Sequence, residues 1–409
     1  MNKYKYIVLL IILFPYVGLA QLNPELIQYK QDINPDTIKQ SVEQLQNFGS
    51  RYAFNPNRVE VSNYLKNRLE QYGWEAKIDS FYMENFEYPY FSGIINTGWQ
   101  YNVVADKRGR YAPDTFFVIG AHYDSYAYFD SLTYFHNSPG ADDNASSVAA
   151  ILEIARIFQK HNIQPTKTLR IEFYAAEELG LHGSSIAIQR SHYKFNEHIS
   201  GMLNCDMIGY KSDPLSPDTV KLIYYDNSQE LTDFAEQTTL NYTTLIPNKT
   251  TELNQYSDSW SYYSWGRRAI FLQESEFHPL YHTSNDLSTT LNYPYLSKIA
   301  ELAFSIAYLA STTNTYYPIS ISEKPIPTHF VLKLNANPVK DNIKFTYITN
   351  THEDPSFQII NQIGKIEITS KLSTYQTNFN KYQIPTHNLK SGIYYLRIEN
   401  QIEKIVVIK

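Results

Sequence analysis

The chain has 409 residues, 43% hydrophobic and 19% charged, with a net charge of −6. That length exceeds a single small domain, and that balance excludes a disordered chain. The acidic charge argues against a nucleic-acid partner, which calls for a basic face.

The first element reads as a leader. Lys3 and Lys5 precede an apolar run from Ile7 to Val17, and small residues follow at Gly18 and Ala20. The run is short for a membrane span of about 20 residues. Residues 1–20 are therefore expected to be a secretory signal peptide cut after Ala20, leaving no transmembrane anchor in the mature chain. Cys205 is the only cysteine. An exported chain with one cysteine has no internal disulfide, so its stability rests on packing, metal or both.

Residues 21–313 read as one catalytic-sized domain. Its first helix is expected over "DTIKQSVEQLQNFGS", with Asp36 as cap and Gly49 as stop. A second follows in "NRVEVSNYLKNRLEQYGW", with Val59, Tyr64, Leu65 and Leu69 near one face. Strand patterns come at "EAKIDSFYM" and "YNVVADKRG". Then strands and helices alternate: "TFFVIGAHYDS", the helix "NASSVAAILEIARIFQKHN", the strands "TLRIEFYAA", "ISGMLNCDMIGY" and "TVKLIYYD", the helix "SQELTDFAEQTTLNY", the strand "RRAIFLQES" and the helix "YPYLSKIAELAFSIAYLAS". In the long central helix Val148, Ile151, Leu152, Ala155 and Phe158 recur at helical spacing. This alternation predicts an α/β fold, a mostly parallel central sheet flanked by helices.

The pattern changes after Thr313. Residues 314–326 are proline-bearing and read as a linker. Residues 327–409 hold only short β patterns between turn residues such as Asn337-Pro338 and Ser391-Gly392, which predicts a small all-β sandwich.

Chemistry gathers at the strand ends, where open α/β sheets place ligands. "FFVIGA" runs into His122 and Asp124, and "SPGADDNASS" offers Asp142 and Asp143 before the long helix. "LRIEFYAA" runs into Glu177 and Glu178, "GMLNC" into Asp206, and "AIFLQES" is followed by His278 and His282. Dispersed carboxylates and imidazoles suit a hydrolytic zinc site, often with two metals about 3.5–4 Å apart. The Glu177–Glu178 pair is the sharpest clue. Side chains alternate faces along a strand, so two neighbours share a site only where the strand stops and the backbone turns. There one glutamate can bind metal while the other takes a proton. No HExxH, GxSxG or phosphate-loop motif is present, which weakens three other hydrolase readings.

The segments "GAHYDS", "PGADDNASS", "AAEELGLHGS", "NCDMIG" and "YHTSND" stand in the order and near the spacing of peptidase family M28, the zinc aminopeptidases, which residues 35–312 resemble. The resemblance implies two zinc ions. His122 and Asp206 would hold the first, Glu178 and His282 the second, with Asp143 bridging both. Glu177 would be the general base, Asp124 would orient His122, and Tyr281 resembles a tyrosine that stabilises the oxyanion in some members. Asp142, His278 and His182 are expected to be structural, and Cys205 a buried strand residue. In "NQYSDSW", Ser259 stands where the family often has a histidine.

The pieces "NANPVKDNIKF", "IINQIGKIE" and "LKSGIYYLRIENQIEKIVVIK" resemble the type A sorting domain of the type IX secretion system. That implies export through the periplasm, handling by outer-membrane secretion machinery, and release or retention at the cell surface. The expected function is a secreted di-zinc exopeptidase that removes N-terminal residues from peptides. The nearest rival is a single-zinc glutaminyl-peptide cyclotransferase on the same fold, which would use Asp143, Glu178 and His282. Another amidohydrolase on this fold, or a non-catalytic surface binding protein, are the further alternatives.

Overall fold

A computed structural model describes residues 22–87, 95–127, 137–195, 197–313, 331–334, 338–348, 356–362, 365–371, 380–398 and 401–409. The expected signal peptide (1–20) and linker (314–326) lie outside the described residues. Tertiary contacts divide the chain into two compact units.

The larger unit is built on an eight-stranded mixed sheet. Its strands are β1 (Glu75–Glu87), β2 (Ile95–Lys107), β3 (Ala112–His122), β4 (Lys167–Tyr174), β5 (His198–Cys205), β6 (Thr219–Tyr224), β7 (Ile246–Thr250) and β8 (Ala269–Glu274). They lie in the order β1-β2-β4-β3-β5-β8-β6-β7. The central strands β4, β3, β5 and β8 run parallel, so their carboxyl ends share one edge. Antiparallel joins of β2 to β4 and of β6 to β8 close the flanks. β4 and β8 are buried throughout, as strands covered on both faces must be.

The helices are α1 (Pro24–Lys30), α2 (Pro35–Gln46), α3 (Arg58–Gln71), α4 (Ser147–Lys160), α5 (His182–Tyr193), α6 (Gln229–Tyr242), α7 (Ser259–Ser264) and α8 (Tyr293–Thr312). The apolar stripe expected on α4 is fully inside: Val148, Ile151, Leu152, Ala155 and Phe158 are all buried. Each such large side chain contributes about 1.5–3 kcal/mol on leaving water. Two local expectations are corrected. Asn34, not Asp36, caps α2, because its carboxamide accepts the amide hydrogens of Asp36 and Thr37 and Pro35 fills the first helical position. On α3 the inward stripe is Val61, Leu65 and Leu69, about half a turn around the helix from Val59, which is exposed. The short α1, α7 and β7 carry too few periodic residues to stand out from sequence.

The smaller unit is all β. A three-stranded sheet (β13-β10-β9) and a four-stranded sheet (β12-β11-β14-β15) are assembled from β9 (Val331–Leu334), β10 (Asn342–Ile348), β11 (Ser356–Asn361), β12 (Ile366–Lys371), β13 (Asn380–Pro385), β14 (Gly392–Ile398) and β15 (Gln401–Val407). Ile343, Phe345 and Ile384 from one sheet and Phe357, Ile359, Leu396, Ile398 and Ile405 from the other form one core. Two sheets over a common apolar layer are the expected sandwich.

Candidate metal centre

His122, Glu177, Glu178 and Asp206 stand at or just past the ends of their strands, while Asp143 and His282 come from loops. His122 closes β3 and is buried. β4 ends at Tyr174, and the chain then turns through Ala176 in the left-handed region (φ 57°). A non-glycine residue rarely adopts that conformation. The turn breaks the strand's alternation and lets Glu177 and Glu178 face the same site. The Asp124 carboxylate secures it, accepting the Glu177 amide hydrogen at 3.1 Å and that of Glu178 at 3.3 Å. Asp124 also meets His122. Its main-chain oxygen lies 3.2 Å from Nδ1 and its Oδ1 3.7 Å away. It therefore holds the imidazole mainly through its carbonyl and the glutamate turn through its carboxylate.

Asp143 sits in a wide turn, residues 141–146, just ahead of α4. Gly140 enters that turn at φ 51°, and a Cβ there would lie 2.3 Å from the Asp143 carbonyl oxygen. Only glycine fits so close an approach. The Asp286 carboxylate accepts the amide hydrogens of Asp142 at 2.9 Å and Asp143 at 3.1 Å. Asn144 ties the turn to the end of β5, donating to the Cys205 carbonyl at 3.1 Å. His282 is itself in the left-handed region (φ 55°), in the loop after β8.

The donors form two groups that share Asp143: His122 with Asp143 and Asp206, and Asp143 with Glu178 and His282. His122 Nε2 lies 3.2 Å from Asp143 Oδ1 and 3.3 Å from Asp206 Oδ1. His282 Nε2 lies 3.1 Å from Asp143 Oδ2 and 2.8 Å from Glu178 Oε2. Each oxygen of Asp143 thus faces a different imidazole. Glu177 stands back, its Oε2 4.0 Å from His122 Nε2, although His122, Glu177 and Glu178 also fall within ligand range of one another.

Burial pushes the Glu177 carboxyl well above the usual range, opposed by His122 and reinforced by Glu178. Burial and Asp143 raise Glu178 to about 7. Burial also raises Asp206. For Asp143 burial is outweighed by His122 and His282, which hold it below the carboxylate range. Burial would lower both imidazoles, but Glu177 and Asp206 hold His122 well above its ordinary value, and Glu178 and Asp143 raise His282 to about 10. The carboxylates around the two imidazoles concentrate negative charge at one place, the setting a cation would neutralise.

The donor set fits a metal. Glu178 Oε1 is buried without a hydrogen-bond partner among the described residues, and His282 Nε2 meets only carboxylate oxygens there, a setting that suits a cation between them. Carboxylate and imidazole donors with no thiolate suit hydrolytic zinc. Cys205 is no rival, because burial drives its thiol far up and leaves it inert.

The remaining candidates fall outside this ring. Asp142 Oδ1 accepts the Gly209 amide hydrogen at 2.9 Å, which turns the side chain away from the imidazoles. His278 is buried, lies 3.0 Å from the Thr290 hydroxyl, and is pushed down to about 4 by burial. His182 packs edge-on against Phe86. The Tyr281 ring stacks on His282 with centroids 3.6 Å apart. Two contributors carried no assignment in the sequence reading. One is Asp286, the last residue of "YHTSND". The other is Ser257 of "NQYSDSW", whose hydroxyl donates to Asp206 Oδ2 at 2.6 Å, so that loop does reach the site despite Ser259 replacing a histidine. Ser259 itself pairs with the Tyr225 hydroxyl at 2.8 Å.

A family model for peptidase family M28 matches residues 102–307, a span that contains every donor named above. The chain belongs to peptidase family M28. A second model, for a secretion system C-terminal sorting domain, matches residues 336–409. Among relatives of this M28 chain, a probable aminopeptidase of Saccharomyces cerevisiae is 27% identical over 276 residues, 66% of this chain and 71% of that protein. Among solved structures, the LapA aminopeptidase of Legionella pneumophila superposes with a TM-score of 0.59 at 23% identity, covering 72% of this chain and 76% of its own. The zinc aminopeptidase BSAP of Bacillus subtilis does so with a TM-score of 0.58 at 15% identity, covering 69% and 96%. At those identities the two structures speak for the shared fold.

Proposed function

We propose that the protein is an exported aminopeptidase that holds two zinc ions and hydrolyses N-terminal residues from peptides. The observation that carries this reading is the placement of Asp143, one oxygen toward His122 and the other toward His282, within two complete donor groups. A single-metal cyclotransferase would need only Asp143, Glu178 and His282, yet His122 and Asp206 are assembled with equal care. Relatives in sequence that are described as aminopeptidases point the same way.

His122, Asp206, Asp143, Glu178 and His282 would hold the metals, whose charge would polarise the scissile carbonyl and acidify water. Glu177 takes the proton from the attacking water and returns it to the leaving amine. Its buried position raises its proton affinity toward the range that such a shuttle needs. Asp124 and Asp286 fix the two backbone turns that aim Glu177, Glu178 and Asp143. Tyr281, whose ring stacks on His282, would be the donor to the developing oxyanion.

The deciding experiment is metal content per chain, paired with assays of aminoacyl-nitroanilide hydrolysis and glutaminyl-peptide cyclisation. Two zincs with hydrolysis is the expected result. One zinc with cyclisation and no hydrolysis would overturn the proposal in favour of the cyclotransferase.

The sorting-domain match supports type IX export to the surface or medium, with residues 327–409 serving as address. Production of residues 21–326 in a cytosolic host should leave hydrolysis intact, whereas the same deletion in a type IX host should abolish export. Lost activity in a folded truncated chain would show that the tail does more than direct traffic.

A further inference from the structure

Arg51 has no counterpart in the chemistry described above, yet it lies at the centre's base. Its side chain is fully buried, and buried arginines are ordinarily paired with carboxylates. Among the described residues, the Arg51 guanidinium donates only to main-chain carbonyls. Nε donates to the Tyr123 carbonyl at 2.8 Å, Nη1 to the carbonyls of Leu45 at 3.2 Å and Pro139 at 2.6 Å, and Nη2 to that of Gly140 at 2.8 Å. Its own amide hydrogen goes to the Ser125 hydroxyl at 3.1 Å, and that hydroxyl donates to the Ser138 carbonyl at 2.6 Å.

These acceptors bracket the donors. Tyr123 follows His122, and Gly140 opens the turn that carries Asp143. Leu45, in α2, anchors the bracket to the helical layer. One planar fork therefore fixes the start and the end of the 123–140 segment relative to each other. A lysine offers a point charge with no such fork and cannot reproduce the four contacts. The guanidinium charge is met only at longer range, by Asp286, Asp124, Asp143 and Glu178. Its cation offsets part of the repulsion among carboxylates gathered at one place.

We propose that Arg51 is a positioning residue for the metal centre: by clamping the carbonyls beside His122 and before Asp143, it sets the separation of these two donors and so the affinity for zinc. The proposal rests on the two-metal reading given above.

The test is zinc affinity, measured by competition with a chromophoric chelator, on full mature chain first stripped of metal and shown folded by circular dichroism. Arg51→Met should weaken zinc binding about a hundredfold and Arg51→Lys about tenfold, the range seen when supporting partners of metal ligands are removed. Excess zinc should restore hydrolysis in the lysine variant. A lower melting temperature with wild-type zinc affinity would overturn the proposal, leaving Arg51 a packing residue. If the methionine variant does not fold, Arg51→Lys and Ser125→Ala carry the test. Both should bind zinc more weakly, and wild-type affinity in both would equally overturn it. Failure of the wild-type protein to bind zinc would instead refute the metal reading.

Discussion

Glu177→Gln keeps its full complement of zinc and loses roughly 10²–10⁴-fold in kcat, the span general-base catalysis commonly supplies. The substitution preserves size and one acceptor oxygen but exchanges the other for an amide nitrogen and removes the capacity to accept a proton. Glu177 is the carboxylate that stands back from the imidazoles, at 4.0 Å from His122, while Asp143 and Asp206 lie at 3.2 and 3.3 Å. Burial raises its proton affinity, so it can hold a proton between the two halves of the reaction. The measurement is steady-state hydrolysis beside metal content on the same sample. A kcat near wild type would remove Glu177 from the base role. Loss of zinc in step with activity would make it a ligand, as its grouping with His122 and Glu178 permits.

Asp143→Asn produces the larger defect. Hydrolysis falls by roughly 10⁴-fold or more, beyond the loss of a base alone, and zinc content drops to one per chain or fewer. Asparagine exchanges one oxygen for an amide nitrogen that donates and does not ligate. Whichever way the carboxamide sits, one of the two imidazoles faces a hydrogen-bearing nitrogen where it had an oxygen at 3.2 or 3.1 Å. The backbone stays in place, because the Asp286 contacts run to main-chain amides. Two zincs retained with only a modest loss of rate would overturn the sharing of Asp143 between the metals.

The central strands, the long helices and the donors were legible because each depends on residue type at short range. β4 carries Leu169, Ile171 and Phe173 at strand spacing, with paired acids shortly after its end, and α4 repeats its apolar residues every third or fourth position. The supporting residues were hidden for the opposite reason. Arg51 sits in "GSRYAF", which reads as a loop, and only the meeting of α2, the 123–125 segment and Gly140 makes it a clamp. Ser257 reaches Asp206 from a loop whose comparison residue, at 259, is changed. Asp286 stands within a motif whose histidine drew the attention. Roles of this kind arise from contacts between distant segments, which periodicity cannot report. The cap of α2 was misplaced because Pro35 marks the first helical residue and so moves the cap back to Asn34.

The strand order has a consequence for how the chain matures. β3, β4, β5 and β8 are neighbours in the sheet but arrive separately during synthesis, and β8 with its following loop comes last. A chain that stops short of β8 already contains His122, Asp143, Glu178 and Asp206, yet it lacks His282. Joining such distant segments carries a loop-closure cost that must be met before the centre exists. On the proposed two-metal reading, the group of Asp143, Glu178 and His282 is completed only when β8 docks, so capture of the second ion would be a late event.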